Sequence, residues 1–120
     1  MSEPHLPHDH SDGAMLRLQE SVETAGSFQT VADIFKLLSD SSRVRIFWLL
    51  CHCEQCVVNI SSMVEMSSPA VSHHLRQLRL SGLIESRRVG KEVYYRAADS
   101  DESRLLHQVI EEIIAVSCPK

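Results

Sequence analysis

Apolar positions with helical spacing begin at Leu16, Leu18 and Val22, which predicts a short amphipathic helix from Ala14 closing near Gly26. Thr30–Leu38 repeats apolar side chains at Val31, Ile34, Phe35 and Leu38, one stripe of a second helix. Ser39-Asp40-Ser41 offers an N-cap for a third, which carries Val44, Ile46, Phe47, Trp48, Leu49 and Leu50. A helix apolar on most sides belongs at the centre of the core. A fourth helix is predicted to begin around Cys53–Asn59 and run through Ile60, Met63 and Val64 to Met66. Ser67-Ser68-Pro69 interrupts it, and Pro69 suits the first turn of a fifth helix reaching about Leu80, with Val71, Leu75 and Leu78 on one side. Gly82 ends that helix.

The period then changes. Leu83–Arg88 and Glu92–Ala97 are β-prone runs joined by Val89-Gly90-Lys91, the pattern of a hairpin. Asp99–Glu102 places carboxylates at the start of a last helix, where the helix dipole favours them. That helix carries Leu105, Leu106, Val109, Ile110, Ile113 and Ile114, too apolar to lie exposed on a monomer. The expected fold is mainly α with a small β-hairpin: about five to six helices plus a two-stranded wing, dimeric. Residues 1–13, with His5, His8 and His10 and no apolar period, read as a mobile tail before a single domain over 14–120.

A chain of 120 residues builds one modest core and gains from dimerisation. It has no run of about 18 apolar residues, so no membrane span is expected. Its start lacks the basic-then-apolar pattern of a secretory signal. A cytoplasmic location follows, where Cys51, Cys53, Cys56 and Cys118 stay thiols rather than forming a disulfide framework. Neither a glycine-rich phosphate loop nor a nucleophile–base motif is present, which argues against an enzyme.

The net charge of −4 hides a local excess of the opposite sign. Between Ser67 and Ala97 stand Arg76, Arg79, Arg87, Arg88, Lys91 and Arg96 against only Glu85 and Glu92. A concentrated basic segment steers phosphates whatever the total charge. Helix, polar turn, helix and basic hairpin form the order of a helix-turn-helix with a wing, whose second helix enters the major groove of double-stranded DNA. Small residues at its start (Ser67, Ser68, Ala70) permit close approach, and Ser68, Ser72 and the first amides suit phosphates. Arg76, Gln77 and Arg79 are donors for base edges or backbone, His73 and His74 serve DNA contact or packing, and Arg87, Arg88 and Lys91 lie on the wing.

SSPAVSHHLRQLRLSGLIESRRVGKEVYYRAAD closely resembles the winged-helix core of the ArsR/SmtB family of bacterial metal-responsive repressors. FKLLSDSSRVRIFWLL resembles the preceding helices of that family, and the likeness spans about residues 30–114. The resemblance implies a homodimer paired mainly through its first and last helices. It also implies a near-palindromic operator and dissociation when an inducer binds.

Three clusters are candidates for the inducer. Cys51-His52-Cys53-Glu54-Gln55-Cys56 offers thiolates and an imidazole, donors for Zn(II) or another thiophilic metal ion. The family often uses a Cys-x-Cys pair here; Cys56 occupies the first place but Val58 the second, leaving Cys53 and Cys56 as a substitute pair. His5, His8 and His10 are a second source of donors, since tail residues of some relatives complete such a site. The third is the last helix, where Asp99, Asp101 and Glu112 stand at family ligand positions without the imidazoles, and His107 with Glu111 forms an i, i+4 pair. Helix capping and a solvated acidic face are the alternative for these carboxylates. A redox or reactive-sulfur switch through Cys53, Cys56 and Cys118 is the competing mechanism.

Overall fold

The computed structural model describes residues 13–24, 26 and 28–118; the tail with His5, His8 and His10 lies outside them. The chain divides into two compact units, residues 1–33 and 34–120. The first unit holds α1 (Gly13–Thr24) and the start of α2 (Phe28–Leu37). Its apolar side chains Leu16, Leu18, Val22 and Val31 are exposed. Gln29 Nε2 donates to Asp33 Oδ1 at 2.8 Å, one turn along α2.

The second unit is built on α3 (Ser41–His52), the central element its sequence foretells. Asp40 caps it by accepting from the Arg43 amide at 3.0 Å. Ile46, Phe47 and Leu50 are buried beneath Ile60 and Val64 of α4 (Val57–Val64) and Val71, Leu75 and Leu78 of α5 (Ser68–Leu80). Leu83 and Ile84 complete this core. α4 ends at Glu65 in the left-handed region, with φ 55° and ψ 49°. Ser67 then caps α5 by accepting from the Ala70 amide, with Pro69 in the first turn.

One element departs from expectation. Gln55–Cys56, placed at a helix start by the sequence reading, forms a two-residue strand, β1. It pairs antiparallel with β3 (Glu92–Ala97), Cys56 opposite Tyr94, while β2 (Ile84–Val89) lies on the other side of β3. The wing is therefore the outer part of a three-stranded sheet. Cys56 is buried there, and the helical period starts only at Val57.

Val89 pairs with Glu92, leaving Gly90-Lys91 as a two-residue loop, and Gly90 has φ +63°. A tight hairpin needs that sign at the loop's first residue. Gly90→Ala is expected to destabilise the protein by about 1–2 kcal/mol, read by urea denaturation, because an L side chain is strained there; Gly90→Asn should cost less.

The last helix, α6 (Asp101–Ser117), is capped by Ser100. It is anchored where the buried Ser103 hydroxyl donates to the Leu83 carbonyl at 2.8 Å. Leu106 and Ile110 pack on the core. Leu105, Val109, Ile113 and Val116 face outward, the last at 81 % exposure. No helix among the described residues is long and apolar enough to cross a membrane.

Candidate nucleic-acid interface and effector residues

The stripe Val71, His74, Leu75 and Leu78 turns one side of α5 into the core. Ser68, Ser72, His73, Arg76 and Arg79 are exposed, and Ala70 and Gln77 are half-buried. Ser68 shares a hydrogen bond with Ser61 of α4 at 3.2 Å, joining the two helices of the motif.

His74 differs from its neighbours. It is 9 % exposed, its Nδ1 accepts from Arg43 Nε at 3.3 Å, and its Nε2 stands 3.9 Å from Asp40. Arg43 also donates to the Leu37 carbonyl at 3.0 Å, so this cluster clasps α2, α3 and α5. Of the two roles open to His74 in the sequence, the structure gives packing; a side chain on the buried stripe cannot reach a groove. Burial holds its imidazole below the ordinary range, against the opposing pull of Asp40. A folded-state imidazole lowered in this way favours the native state above about pH 6.5 and loses that stability as the pH falls, because the unfolded chain binds the proton first. Thermal melts are expected to show a declining Tm below that pH, with a shallower decline in His74→Gln.

The wing cations divide into two kinds. Arg87 donates from Nε to both carboxylate oxygens of Glu54 at 2.9 Å and from Nη2 to one of them, a fork that holds the Glu54 carboxyl below its usual range. Arg96 pairs with Glu85 at 2.7 Å. Arg88 and Lys91 are exposed, and neither they nor Arg76 and Arg79 form an ion pair with any described residue.

The described candidate ligands form no group of three or more, with one exception. Cys56 is buried at the N-cap of α4 without a side-chain capping bond. The Cys53 thiol donates to the Leu49 carbonyl at 3.4 Å, and Cys118 is exposed beyond α6. Burial, reinforced by the negative charge of Glu111, pushes the Cys51 thiol up to about 11, so it is protonated at neutral pH. Asp99 and Asp101 are both held by Arg104, the second at 2.7 Å, and Glu112 accepts from Gln108 at 3.4 Å.

The exception joins two clusters that the sequence kept apart. His52, at the end of α3, meets His107 and Glu111 of α6, and their ligand atoms all lie within 4.8 Å of one another. Among the described residues this is the only such group of three or more His, Cys, Asp or Glu side chains. Trp48 Nε1, one turn before His52, donates to Glu111 Oε1 at 3.0 Å. That bond, with smaller help from His107 and His52, holds the Glu111 carboxyl below its usual range. The sequence places Trp48 only among the apolar residues of the third helix, although its i, i+4 spacing from His52 puts both on one face of α3.

A helix-turn-helix whose second helix bares cations beside a hairpin wing defines the winged-helix class of DNA-binding proteins. Residues 40–86 match the family model described as bacterial regulatory protein, arsR family. The chain is 36 % identical over 97 residues to the transcriptional repressor SmtB homolog of Synechocystis sp., covering 81 % of this chain and 74 % of that protein. It is 39 % identical over 79 residues to the cadmium resistance transcriptional regulatory protein CadC homolog of Staphylococcus aureus, covering 65 % of each. Among solved structures, the homodimeric winged helix-turn-helix DNA-binding domain Mb0332 of Mycobacterium bovis is similar at a TM-score of 0.65 and 25 % identity, over 100 % of this chain and 94 % of that one. The chain belongs to the arsR family of bacterial regulatory proteins. It is a DNA-binding transcriptional regulator, not an enzyme.

Proposed function

We propose that the chain is a homodimeric repressor that holds a near-palindromic operator and leaves it when a metal ion binds. One observation carries the DNA-reading part: α5 buries Val71, His74, Leu75 and Leu78 while turning Ser72, His73, Arg76 and Arg79 to solvent. Arg76, Arg79 and Gln77 are donors for base edges, and the hydroxyls of Ser67, Ser68 and Ser72 with the Ser68 amide for phosphates. Arg88 and Lys91 extend the contact along the wing.

Dimerisation is supported by the outward apolar residues of α1 and those of α6, each a face that one chain leaves in water, and by the homodimeric state of the Mycobacterium bovis domain. A two-fold pair of α5 helices then addresses two half-sites about one DNA turn apart. Metal-dependent release draws on the cadmium resistance named for the Staphylococcus relative.

Fluorescence anisotropy of the reduced protein on DNA from its own promoter, titrated with Zn2+ and Cd2+, tests this reading. Tight binding that collapses near one ion per protomer supports it; binding unchanged by either ion removes the metal response. Arg88→Ala should lower the slope of log affinity against log salt by about one, the signature of a lost phosphate contact. Arg87→Ala should change it less, since Glu54 already neutralises Arg87. Equal effects would contradict the division between paired and free wing cations.

A further inference from the structure

Three contacts define the cluster between α3 and α6. His52 Nε2 lies 3.2 Å from Glu111 Oε1, His107 Nε2 lies 3.0 Å from the same oxygen, and the two Nε2 atoms are 3.1 Å apart. Protons alone cannot satisfy this triangle. The carboxylate oxygen only accepts, so both imidazoles must donate to it, which sets two N–H groups against each other. If either nitrogen is bare instead, its lone pair faces the carboxylate. A cation above the triangle meets all three lone pairs at once. Donors about 3.1 Å apart are spaced to share an ion about 2.0–2.1 Å from each, the ordinary length of a zinc–nitrogen or zinc–oxygen bond.

The surroundings suit an ion. The indole N–H of Trp48 takes a further lone pair of Glu111 Oε1, an outer hydrogen bond of the kind that orients a ligating carboxylate. A cleft of about 320 Å3 opens beside His107, giving room for water ligands. The cations that line it, Arg96 and Arg104, are already paired with carboxylates.

We propose that His52, His107 and Glu111 form a site within one protomer for a first-row divalent transition-metal ion, and that this is where metal acts on DNA binding. The second half rests on the repressor reading given above. Two imidazoles and a carboxylate are borderline-to-hard donors, matched to Zn2+, Co2+ or Ni2+ more than to the softest ions, such as Cu(I), that seek thiolates. The ligands stand where such an ion has leverage. His52 precedes by two residues Glu54, which grips Arg87 of the wing. His107 and Glu111 stand on the helix that bears the unpartnered apolar face. An ion between them braces the reading head against the dimer helix.

The test is a Co2+ titration of the full reduced chain, followed by absorbance and by the emission of Trp48, the one tryptophan in the sequence. The expected result is one ion per chain, visible ligand-field bands, no strong thiolate-to-cobalt charge-transfer band, and a change in Trp48 emission. His52→Gln and His107→Gln should each weaken binding by at least ~10-fold, since even outer partners of ligands are worth that much. Cys53→Ser/Cys56→Ser should bind as the parent does. His52→Gln alters an exposed helix-terminal side chain, so its loss is read on folded protein, with circular dichroism as the check. Parent-like binding by His107→Gln, or a thiolate band that disappears in the double cysteine variant, overturns the site.

The same proteins on promoter DNA separate the two halves. Zn2+ should release the parent and not His107→Gln. Equal release of both overturns the effector role even where the Co2+ titration supports the site. Failure of every metal-free protein to bind DNA would instead sink the repressor reading, and the Co2+ titration would still decide the site.

Discussion

Arg76→Ala is expected to weaken operator binding by about 10–100-fold at fixed salt, with no loss of thermal stability. Arg76 stands on the exposed side of α5 without an ion pair among the described residues, so its removal leaves the fold untouched. A guanidinium that forks onto a guanine is worth roughly 1–3 kcal/mol of base discrimination. Competition with scrambled DNA should show the loss concentrated on the specific site rather than spread over all sequences. Affinity within twofold of the parent would show that α5 does not lie in the groove with this face.

Phe47→Ala should be the most damaging single change to the fold. Phe47 is fully buried at the centre of α3, among residues of α4 and α5. Emptying such a site costs about 3–5 kcal/mol, against a total stability of about 5–15 kcal/mol for a domain. Urea denaturation should show the midpoint collapsing or no folded baseline at all. Val58→Ala, on the exposed side of α4 at 68 % exposure, should stay within about 0.5 kcal/mol. A tolerant Phe47 would mean that α3 is not the core element.

Much of this architecture was legible along the chain because the signals were local. Asp40 and Ser67 cap the helices they precede, and Gly82, at φ +82°, stands where α5 gives way to the wing. The outward residues of α6 were equally plain, since a helix apolar on two sides has one side too many for a single small core. β1 was not legible: two residues carry no period, and their extended form depends on pairing with β3, far along the chain. His74 could have been placed, because positions 71, 74, 75 and 78 form one stripe, but its polar side chain invites an outward reading. The convergence of His52 with His107 and Glu111 depends on how α3 meets α6. His52 stood among cysteines and the other two among carboxylates, and only the tertiary contact sorts them into one group.

Hydroxyl-radical footprinting of the metal-free protein on its own promoter decides whether α5 reads DNA as one of a two-fold pair. Two protected patches, their centres about one helical turn apart and both shifted to about 10–100-fold higher protein concentration by Arg76→Ala, are the predicted result. No protection at low salt, or uniform protection that appears at the same concentration with Arg76→Ala, would contradict it.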